Sequence, residues 1–306
     1  MGGRLPQFLV LALLGCGPGD MADPQQPAPD EGHVFLFSFA LIADPHIVEP
    51  SERDTRLLAA VDWINDAAEA RSIELTLVLG DIGWGEGLAN AEAHLAGLAM
   101  SYVPIMGDNE VHAGEEEAFG EVFTPQYAAL EAQMDGFRRG EIGTYNPEWS
   151  QTSWFQNLSF DYRGLRFVML DWISRDDDVF YGEMATLHDF EGGTLPWFAE
   201  ELGDVSTDRS ENVLLFSHHP MLMGPGGFDV ADLEEITALT APVGEQVAAA
   251  WAGHLHVDHD ETIYAGGYDV HVTDATWDDD NTIRVVEVWG NGTAFSFVQE
   301  HVIVPF

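Results

Sequence analysis

Five short segments of the sequence place side chains that bind metal ions directly after apolar runs. The segments are Asp44-Pro45-His46, Gly80-Asp81, Gly107-Asp108-Asn109-Glu110, Ser217-His218-His219-Pro220 and Gly253-His254-Leu255-His256. Open α/β sheets carry their chemistry just beyond the carboxyl ends of their strands. Because the apolar runs have the length of strands, the five segments predict one metal site assembled from several loops.

A hydrolytic site with two metal ions needs hard or borderline ligands, a carboxylate that can bridge the ions and open positions for water. The segments offer three carboxylates and four imidazoles of this kind: Asp44, His46, Asp81, Asp108, His218, His254 and His256. Each one alone is as easily explained as a turn former or an ordinary surface or core residue. Their joint occurrence favours a site for two divalent metal ions, with Mn, Fe, Zn or similar ions as candidates.

The apolar runs alternate with helical patterns in the first half of the chain. Strands are predicted at Val34–Ile42, Ile73–Leu79 and 102–106. Helices are predicted after a Ser51 cap and over 88–100. This βαβαβ order is typical of a parallel sheet covered by helices.

Residues 111–160 interrupt this alternation, and we expect either an insertion at the rim of the site or a simple surface excursion. Strands resume at Leu165–Leu170 and at 213–216. Four short strand-like runs follow His256, at 261–265, 269–273, 283–289 and 294–304. They alternate polar and apolar residues more than the earlier strands do, which predicts a second sheet of antiparallel character.

The chain carries an extreme negative charge. Its 53 acidic and 11 basic residues give a formal net charge of −42, and every basic residue is Arg. The lack of Lys argues against a phosphate-cradling lysine loop and against a Schiff-base lysine. A surface of this kind repels polyanions, so we expect a small phosphoester substrate rather than a long nucleic acid.

The N-terminal residues resemble an export signal. Arg4 precedes an apolar run over residues 8–14, which is far shorter than the about 20 residues needed to span a bilayer. Leu13-Leu14-Gly15-Cys16 resembles a bacterial lipobox, and Cys16 is the only cysteine of the chain. Lipidation at Cys16 explains this position, although a chance cysteine within an ordinary signal peptide is the alternative.

The domain organisation follows from these features. We predict a lipoprotein signal peptide over residues 1–16, a Pro/Gly-rich flexible tether over 17–32 and one catalytic domain over 33–306. Such a protein is exported and anchored in a bacterial cell envelope, at the outer membrane or the periplasmic face. It contacts the membrane only through its N-terminal lipid.

In order and type, the five segments resemble the motifs of the calcineurin-like metallophosphoesterases, which are Asp-x-His, Gly-Asp, Gly-Asn-His-Asp/Glu, a His before Pro, and Gly-His-x-His. The resemblance covers about 34–306 and includes a hairpin-like run at 160–164. It implies an α/β fold, a four-layer αββα sandwich in which two mixed β-sheets are flanked by helices. It also implies how the ions are shared: one by Asp44, His46 and His256, the other by Asp108, His218 and His254, with Asp81 bridging.

The third segment departs from the family pattern. Asp108 stands where the family has an Asn ligand, and Asn109 stands where it has the catalytic His. Asn109 cannot act as a general acid, but it can donate a hydrogen bond to a phosphoryl oxygen, so we assign catalytic roles to Asn109 and Asp81. Loss of a proton donor costs roughly 10²–10⁴-fold in rate where that donor matters. His112 is a candidate replacement, although an ordinary surface position explains it as well.

The sequence therefore predicts a metal-dependent phosphoesterase that hydrolyses a phosphomonoester or phosphodiester with a metal-bridging hydroxide. The alternative is a catalytically weak or inactive cation-binding surface lipoprotein that retains the phosphoesterase fold, which Asn109 and the acidic charge favour. Two Asp-rich runs, at 176–178 and 278–281, do not match the spacing of an EF-hand and are interpreted as solvated turns.

Overall fold

The computed structural model describes residues 29–176, 183–205, 212–244, 246–262, 267–292 and 294–306. The predicted signal peptide with Cys16, most of the predicted tether, and Asp177 and Asp178 lie outside the described residues. Within the described ranges, no helix combines the length and the apolar character needed to cross a membrane.

The structure consists of strands and helices in the alternating order expected for an α/β protein. The strands are β1 Val34–Ile42, β2 Ile73–Leu79, β3 Ser101–Ile105, β4 Asp135–Arg139, β5 Gly143–Asn146, β6 Gln151–Trp154, β7 Leu158–Tyr162, β8 Leu165–Leu170, β9 Asn212–Ser217, β10 Val247–Ala252, β11 His259–Thr262, β12 Asp269–Val272, β13 Thr282–Gly290 and β14 Phe295–Ile303. The helices are α1 Glu52–Arg71, α2 Glu86–Leu95, α3 Asp108–His112, α4 Glu116–Val122, α5 Thr124–Gln133, α6 Thr194–Gly203 and α7 Val230–Thr240, followed by a 3₁₀ turn at Ala241–Val243.

The predicted helices form for the reasons that the sequence indicates. Ser51 caps α1: its side chain accepts from the backbone of Arg53, and Asp54 accepts from the backbone of Ser51. Such a capping box satisfies two backbone donors that the first helical turn leaves free. Helix α2 ends at Leu95 and not at residue 100, because the chain turns through Gly97, whose N–H donates to His94 O at 3.0 Å.

Most strands belong to two mixed sheets. The five-stranded sheet has the order β14-β13-β1-β2-β3, in which β1, β2 and β3 are parallel and β13 is antiparallel to both of its neighbours, β1 and β14. The seven-stranded sheet has the order β11-β12-β10-β9-β8-β7-β4, with β8, β9, β10 and β12 parallel. Strands β7 and β8 form the predicted hairpin, and β5 and β6 pair separately.

The prediction that all strands after His256 join a second sheet was wrong in part. Strands β11 and β12 join the seven-stranded sheet, but β13 and β14 return to the first sheet and extend it beyond β1. Strand β13 is buried along nearly its whole length, which suits an interior strand between β1 and β14. Alternation of polar and apolar residues shows which face of a strand is buried, but not which sheet the strand joins.

The predicted four-layer architecture is confirmed by the side chains of β8. Phe167 and Met169 belong to a core that also contains residues of the five-stranded sheet and of α1. Val168 and Leu170, which point to the opposite face, belong to a second core with residues of α6 and α7. The two sheets therefore face each other, with a layer of helices on the outside of each.

Residues 111–160 are not a simple surface excursion. Buried apolar side chains of α4, of α5 and of the residue between them are part of the main core: Phe119, Phe123, Tyr127 and Leu130. Strand β4 forms one edge of the seven-stranded sheet. This segment therefore belongs to the helical layer and to a sheet edge.

Candidate metal centre

The loops after five strands bring the seven predicted ligands to one end of the two sheets. Asp44 and His46 follow β1, Asp81 follows β2 and Asp108 follows β3 in the five-stranded sheet. The other ligands follow β9 and β10 in the facing sheet. A direct contact joins the two sets, since the backbone N–H of His254 donates to Asp44 Oδ2 at 3.0 Å.

The backbone at this end is held in an uncommon conformation. Five of the seven predicted ligands have positive φ angles: Asp44 at 49°, His46 at 51°, Asp81 at 48°, His254 at 69° and His256 at 50°. L-residues adopt this left-handed region rarely and at an energetic cost, and such residues cluster at functional sites. The loops are thus bent so that the ligands turn toward one another.

Two glycines allow the close approach of these loops. A Cβ atom at Gly80 would lie 2.3 Å from His218 Nδ1, and one at Gly107 would lie 2.1 Å from Asp81 Oδ1. Real Cβ contacts are not this short, so larger residues would displace the ligands. The glycines that precede Asp81 and Asp108 in the sequence are therefore part of the construction of the site.

One cluster of ligand atoms surrounds Asp108. His218 Nε2 lies 2.7 Å from Asp108 Oδ1, and His254 Nδ1 lies 3.1 Å from the same oxygen. The two imidazole nitrogens are 3.2 Å apart. His219, which the sequence analysis did not choose as a ligand, also groups with Asp108 and His254, since ligand atoms of all three lie within 4.8 Å of one another.

A second cluster contains Asp44, His46 and His256, whose ligand atoms also lie within 4.8 Å of one another. His256 Nε2 lies 3.7 Å from Asp44 Oδ1. Trp277 closes this side, because its ring stacks on the His46 imidazole at a centroid distance of 5.1 Å. Sequence reasoning missed Trp277, which has no motif around it.

Asp81 lies between the two clusters. Its Oδ2 is 3.0 Å from His46 Nε2, and its Oδ1 is 3.5 Å from His218 Nε2. Asp81 also groups with Asp44 and His218 within 4.8 Å. The Asp81 carboxylate is therefore close to ligands of both clusters.

Hydrogen bonds to backbone carbonyls orient the imidazoles. His218 Nδ1 lies 2.8 Å from Leu79 O, so this nitrogen carries the proton and Nε2 is left to face Asp108. His254 Nε2 lies 3.2 Å from Glu183 O, which likewise leaves Nδ1 free to face Asp108. Such contacts fix the tautomer and ring orientation of metal-binding histidines.

The charges of the cluster favour a cation. Burial opposes the charged form of His218, but carboxylates led by Asp81 and Asp108 raise its pKa well above that of an ordinary histidine. Burial likewise opposes ionisation of Asp108, but His218 and His254 hold its pKa well below the usual range. In contrast, burial and the neighbouring His254 lower the pKa of His219, so its ring is neutral and able to bind a metal.

Glu110 ties two of the loops together. It is fully buried, and its two carboxyl oxygens accept from the backbone N–H groups of Gly83 and Gly107, each at 2.8 Å. Burial raises the pKa of Glu110 to about 8, with the Asp81 carboxylate adding to the shift and the two N–H groups opposing it. Glu110 is therefore a residue that holds the loops after β2 and β3 in register.

His112, the candidate replacement for the family histidine, and three aromatic residues occupy different places. His112 lies beside the cluster, with Nδ1 3.7 Å from Asp108 Oδ2. The Trp84 ring contacts His46 edge-on at 5.3 Å, whereas Tyr145 is exposed. Trp172 is a buried core residue, as expected for a large aromatic side chain.

The residues present fit a pair of divalent cations. Among the described residues, His219 Nδ1 is buried without a hydrogen-bond partner, and its ring groups with Asp108 and His254 at the site. An unsatisfied buried nitrogen is costly unless a ligand satisfies it. Carboxylate and imidazole together suit Mn, Fe, Zn and similar ions.

The geometry and the sequence together define the class of this protein. Residues 37–258 match the sequence profile of the calcineurin-like phosphoesterases, and the chain belongs to this family. Membership agrees with the carboxylates and imidazoles that the structure brings together at one end of the sheets. No curated protein sequence matches the chain significantly.

Two solved structures have a similar fold. A putative 5'-nucleotidase from Staphylococcus aureus in complex with alpha-ketoglutarate is 14% identical, with a TM-score of 0.54, and the match covers 88% of this chain and 54% of that one. The purple acid phosphatase PPD1 from yellow lupin (Lupinus luteus) seeds is 13% identical, with a TM-score of 0.51, and the match covers 91% and 55%. The chain thus spans about half the length of these two proteins, and the likeness is one of fold.

Proposed function

We propose that this protein hydrolyses a small phosphomonoester or phosphodiester with the help of two divalent cations. The observation that carries the proposal is the convergence of three carboxylates and five imidazoles, from loops of both sheets, into adjoining groups with ligand atoms within 4.8 Å. A purely structural role does not explain why so many ionisable groups share one buried region.

Each residue has a distinct part in the proposed site. Asp44, His46 and His256 would hold one cation, and Asp108, His218 and His254 would hold the other, with His219 as a further ligand of the second. Asp81, which lies between these two groups, would be available to both. When bound, such cations supply Lewis acidity toward phosphoryl oxygens and make hydroxide available near neutral pH.

Asn109 occupies the motif position at which the family has its catalytic histidine. Its side-chain amide donates to Asp81 Oδ2, and one amide hydrogen remains to donate to a phosphoryl oxygen. Because Asn109 does not deliver a proton, substrates with good leaving groups should be hydrolysed faster. The net charge of −42 favours substrates with few negative charges beyond the scissile phosphate.

The proposed place of action is outside the cytoplasm. The lipobox-like sequence at Cys16 supports export and lipid anchoring in a bacterial cell envelope. Labelling with a radioactive or clickable fatty acid in a bacterial host, with Cys16→Ser as the control, tests this point.

The activity is tested with purified protein that has been stripped of metal by a chelator. Hydrolysis of p-nitrophenyl phosphate and bis(p-nitrophenyl) phosphate is measured while Mn²⁺, Fe²⁺ or Zn²⁺ is added. We expect turnover that requires one of these ions. Asp81→Asn should reduce it by at least about 100-fold, whereas Asp62→Asn, on the exposed face of α1, should leave it unchanged.

Three outcomes separate the proposed function from its alternative. Metal-dependent hydrolysis that Asp81→Asn abolishes supports the proposed function. Stoichiometric metal binding without hydrolysis of either ester supports the inactive cation-binding protein. Hydrolysis that persists after removal of metal contradicts both.

A further inference from the structure

A cavity of about 320 Å³ opens beside the metal centre. Its walls are mostly apolar and come from the segment before α6 and from the loop that leads into α7. The apolar lining residues are Met184, Met223, Pro225, Phe228 and Val230. The volume lies at the lower end of the range that small-molecule sites occupy in proteins.

The cavity adjoins the metal centre at His254. Glu183 and Gly226 line the cavity, and both contact the His254 ring: Glu183 O lies 3.2 Å from Nε2, and a Cβ atom at Gly226 would lie 3.0 Å from the same nitrogen. Glu183 O also lies 3.2 Å from His219 Nε2. The cavity and the metal centre therefore lie on adjacent sides of the residues that contact His254.

The wall formed by the loop before α7 is preformed. Phe228 N–H donates to Leu222 O at 2.8 Å, and Gly224 N–H donates to Phe228 O at 3.1 Å. Ala185 N–H donates to Gly227 O at 2.9 Å, which joins this loop to the other wall. Phe228 is fully buried against Trp172, so the base of the cavity is fixed by the core.

The exposure of the apolar side chains at the cavity mouth has no structural explanation. Met223 is 66% exposed and Val230 is 55% exposed, and both line the cavity that adjoins His254. Exposed apolar surface beside a site is typical of a binding surface. The charged groups at the mouth are the carboxylates of Glu183 and Asp229, which disfavour an anionic occupant.

We propose that this cavity binds an uncharged hydrocarbon group of the substrate, so that the preferred phosphoesters are those of apolar alkyl or aryl alcohols. The inference rests on the proposed function, because the phosphate is positioned at the neighbouring cations. Met223 and Val230 are the specificity-determining residues. Anionic tails such as further phosphates are excluded by Glu183 and Asp229.

The test compares esters whose alcohols have the same acidity but different apolar size. The kcat/KM values of the metal-loaded protein are measured for n-propyl and n-hexyl phosphate and for the p-nitrophenyl diesters of the same two alcohols. Whichever of the two series is hydrolysed, the monoesters or the diesters, we expect kcat/KM to be about tenfold or more higher for the hexyl compound than for the propyl compound. The difference should lie mainly in KM. Calorimetric titration with propylphosphonate and hexylphosphonate, which are not hydrolysed, should give the same preference in Kd.

Matched variants assign the preference to the cavity. Val230→Asp introduces a carboxylate at the first position of α7, where negative charge is tolerated, and should reduce the hexyl preference at least about fivefold. Met223→Ser removes part of the apolar wall and should act in the same direction. Val34→Asp is the control, because Val34 is 60% exposed at the end of β1 opposite to Asp44 and should leave the preference unchanged.

The outcomes distinguish this inference from the proposed function. Equal kcat/KM for propyl and hexyl esters, or a preference that Val230→Asp and Met223→Ser both leave intact, overturns the inference while the proposed function stands. If neither ester series nor p-nitrophenyl phosphate is hydrolysed, the proposed function fails and the inference fails with it.

Discussion

Asn109 binds Asp81 through two hydrogen bonds: its backbone N–H donates to Oδ1 at 2.9 Å, and its side-chain amide donates to Oδ2. The residue that replaces the family's catalytic histidine thus holds the carboxylate that lies between the two ligand clusters. In this structure Asn109 positions a ligand, which the sequence analysis did not anticipate when it assigned Asn109 to the substrate phosphate.

This contact predicts that Asn109→Ala weakens metal binding. Groups that orient a metal ligand typically contribute about 10–100-fold to metal affinity or activity, and we expect a loss in this range. The affinity is measured by titrating metal-stripped protein and following activity or heat. Asn65→Ala is the control, because Asn65 makes similar bonds to Gly97 and Ala99 away from the site and should leave metal affinity unchanged. Unaltered affinity in Asn109→Ala would refute the positioning role.

A second prediction concerns the close packing of the loops. Gly107 has a φ of −109°, which any residue adopts, so Gly107→Ala changes only the space near Asp81. Its Cβ would lie 2.1 Å from Asp81 N and Oδ1, and we expect displacement of Asp81, weaker metal binding and a stability loss of about 1–3 kcal/mol. Metal titration and urea denaturation measure these effects.

Gly203→Ala is the matched control for Gly107→Ala. A Cβ at Gly203, the last residue of α6, would meet nothing within 4 Å. We expect unchanged metal affinity and a stability that is equal or higher by up to about 1 kcal/mol. A Gly107→Ala protein that behaves like Gly203→Ala would show that the loops are not tightly packed around Asp81.

A third prediction concerns the buried ion pair between Asp171 and Arg175. Arg175 contacts both oxygens of Asp171, at 2.8 and 3.0 Å, and its guanidinium is fully buried. Asp171→Asn leaves a buried positive charge with fewer partners, so we expect a cost of about 3–5 kcal/mol in the free energy of unfolding at pH 7. Glu52→Gln, which breaks an exposed pair with Arg56, should cost less than about 1 kcal/mol.

The same pair predicts a pH dependence of stability. Burial opposes the ionised form of Asp171, but Arg175 lowers its pKa below the ordinary value of an aspartate, about 3.9. The ionised carboxylate therefore stabilises the fold above that ordinary value, and this contribution is lost as the pH falls from about 4 through the lower pKa of the folded state. Urea denaturation between pH 7 and pH 3 should show the wild type and Asp171→Asn converging. A constant difference across this range would contradict the assignment.

The sequence predicted much of the fold because buried strands and capped helices leave local signals. Strand β1 and the Ser51 cap of α1 lie where the apolar run and the identity of Ser51 predicted them. The pairing of β13 with β1 was not predictable in this way. It joins residues about 250 positions apart, and such long-range pairing leaves no periodicity in either strand.

In the candidate site, too, residues in local motifs could be predicted from the sequence, whereas residues brought in by long-range contacts could not. The ligands after β1, β2, β3, β9 and β10 could be found because each follows a strand within a short motif. His219 was present in such a motif but was overlooked, since adjacent histidines do not reveal which ring faces the site. Trp277 and the cavity residue Met223 come from irregular loops, and Val230 begins α7; only the tertiary structure places Trp277 against His46 and joins Met223 and Val230 in one cavity.

The most direct test of the central claim is the metal content of the purified protein. After metal-stripped protein is equilibrated with Mn²⁺ and freed of unbound ions, elemental mass spectrometry gives the number of cations per chain. The proposed site predicts two cations per chain in the wild type and in Asp62→Asn, and fewer in Asp81→Asn. The rate of p-nitrophenyl phosphate hydrolysis should fall in the variant that binds fewer cations. A wild-type protein that retains no cation, or an Asp81→Asn protein that retains as many as the wild type, would contradict the proposed dinuclear centre.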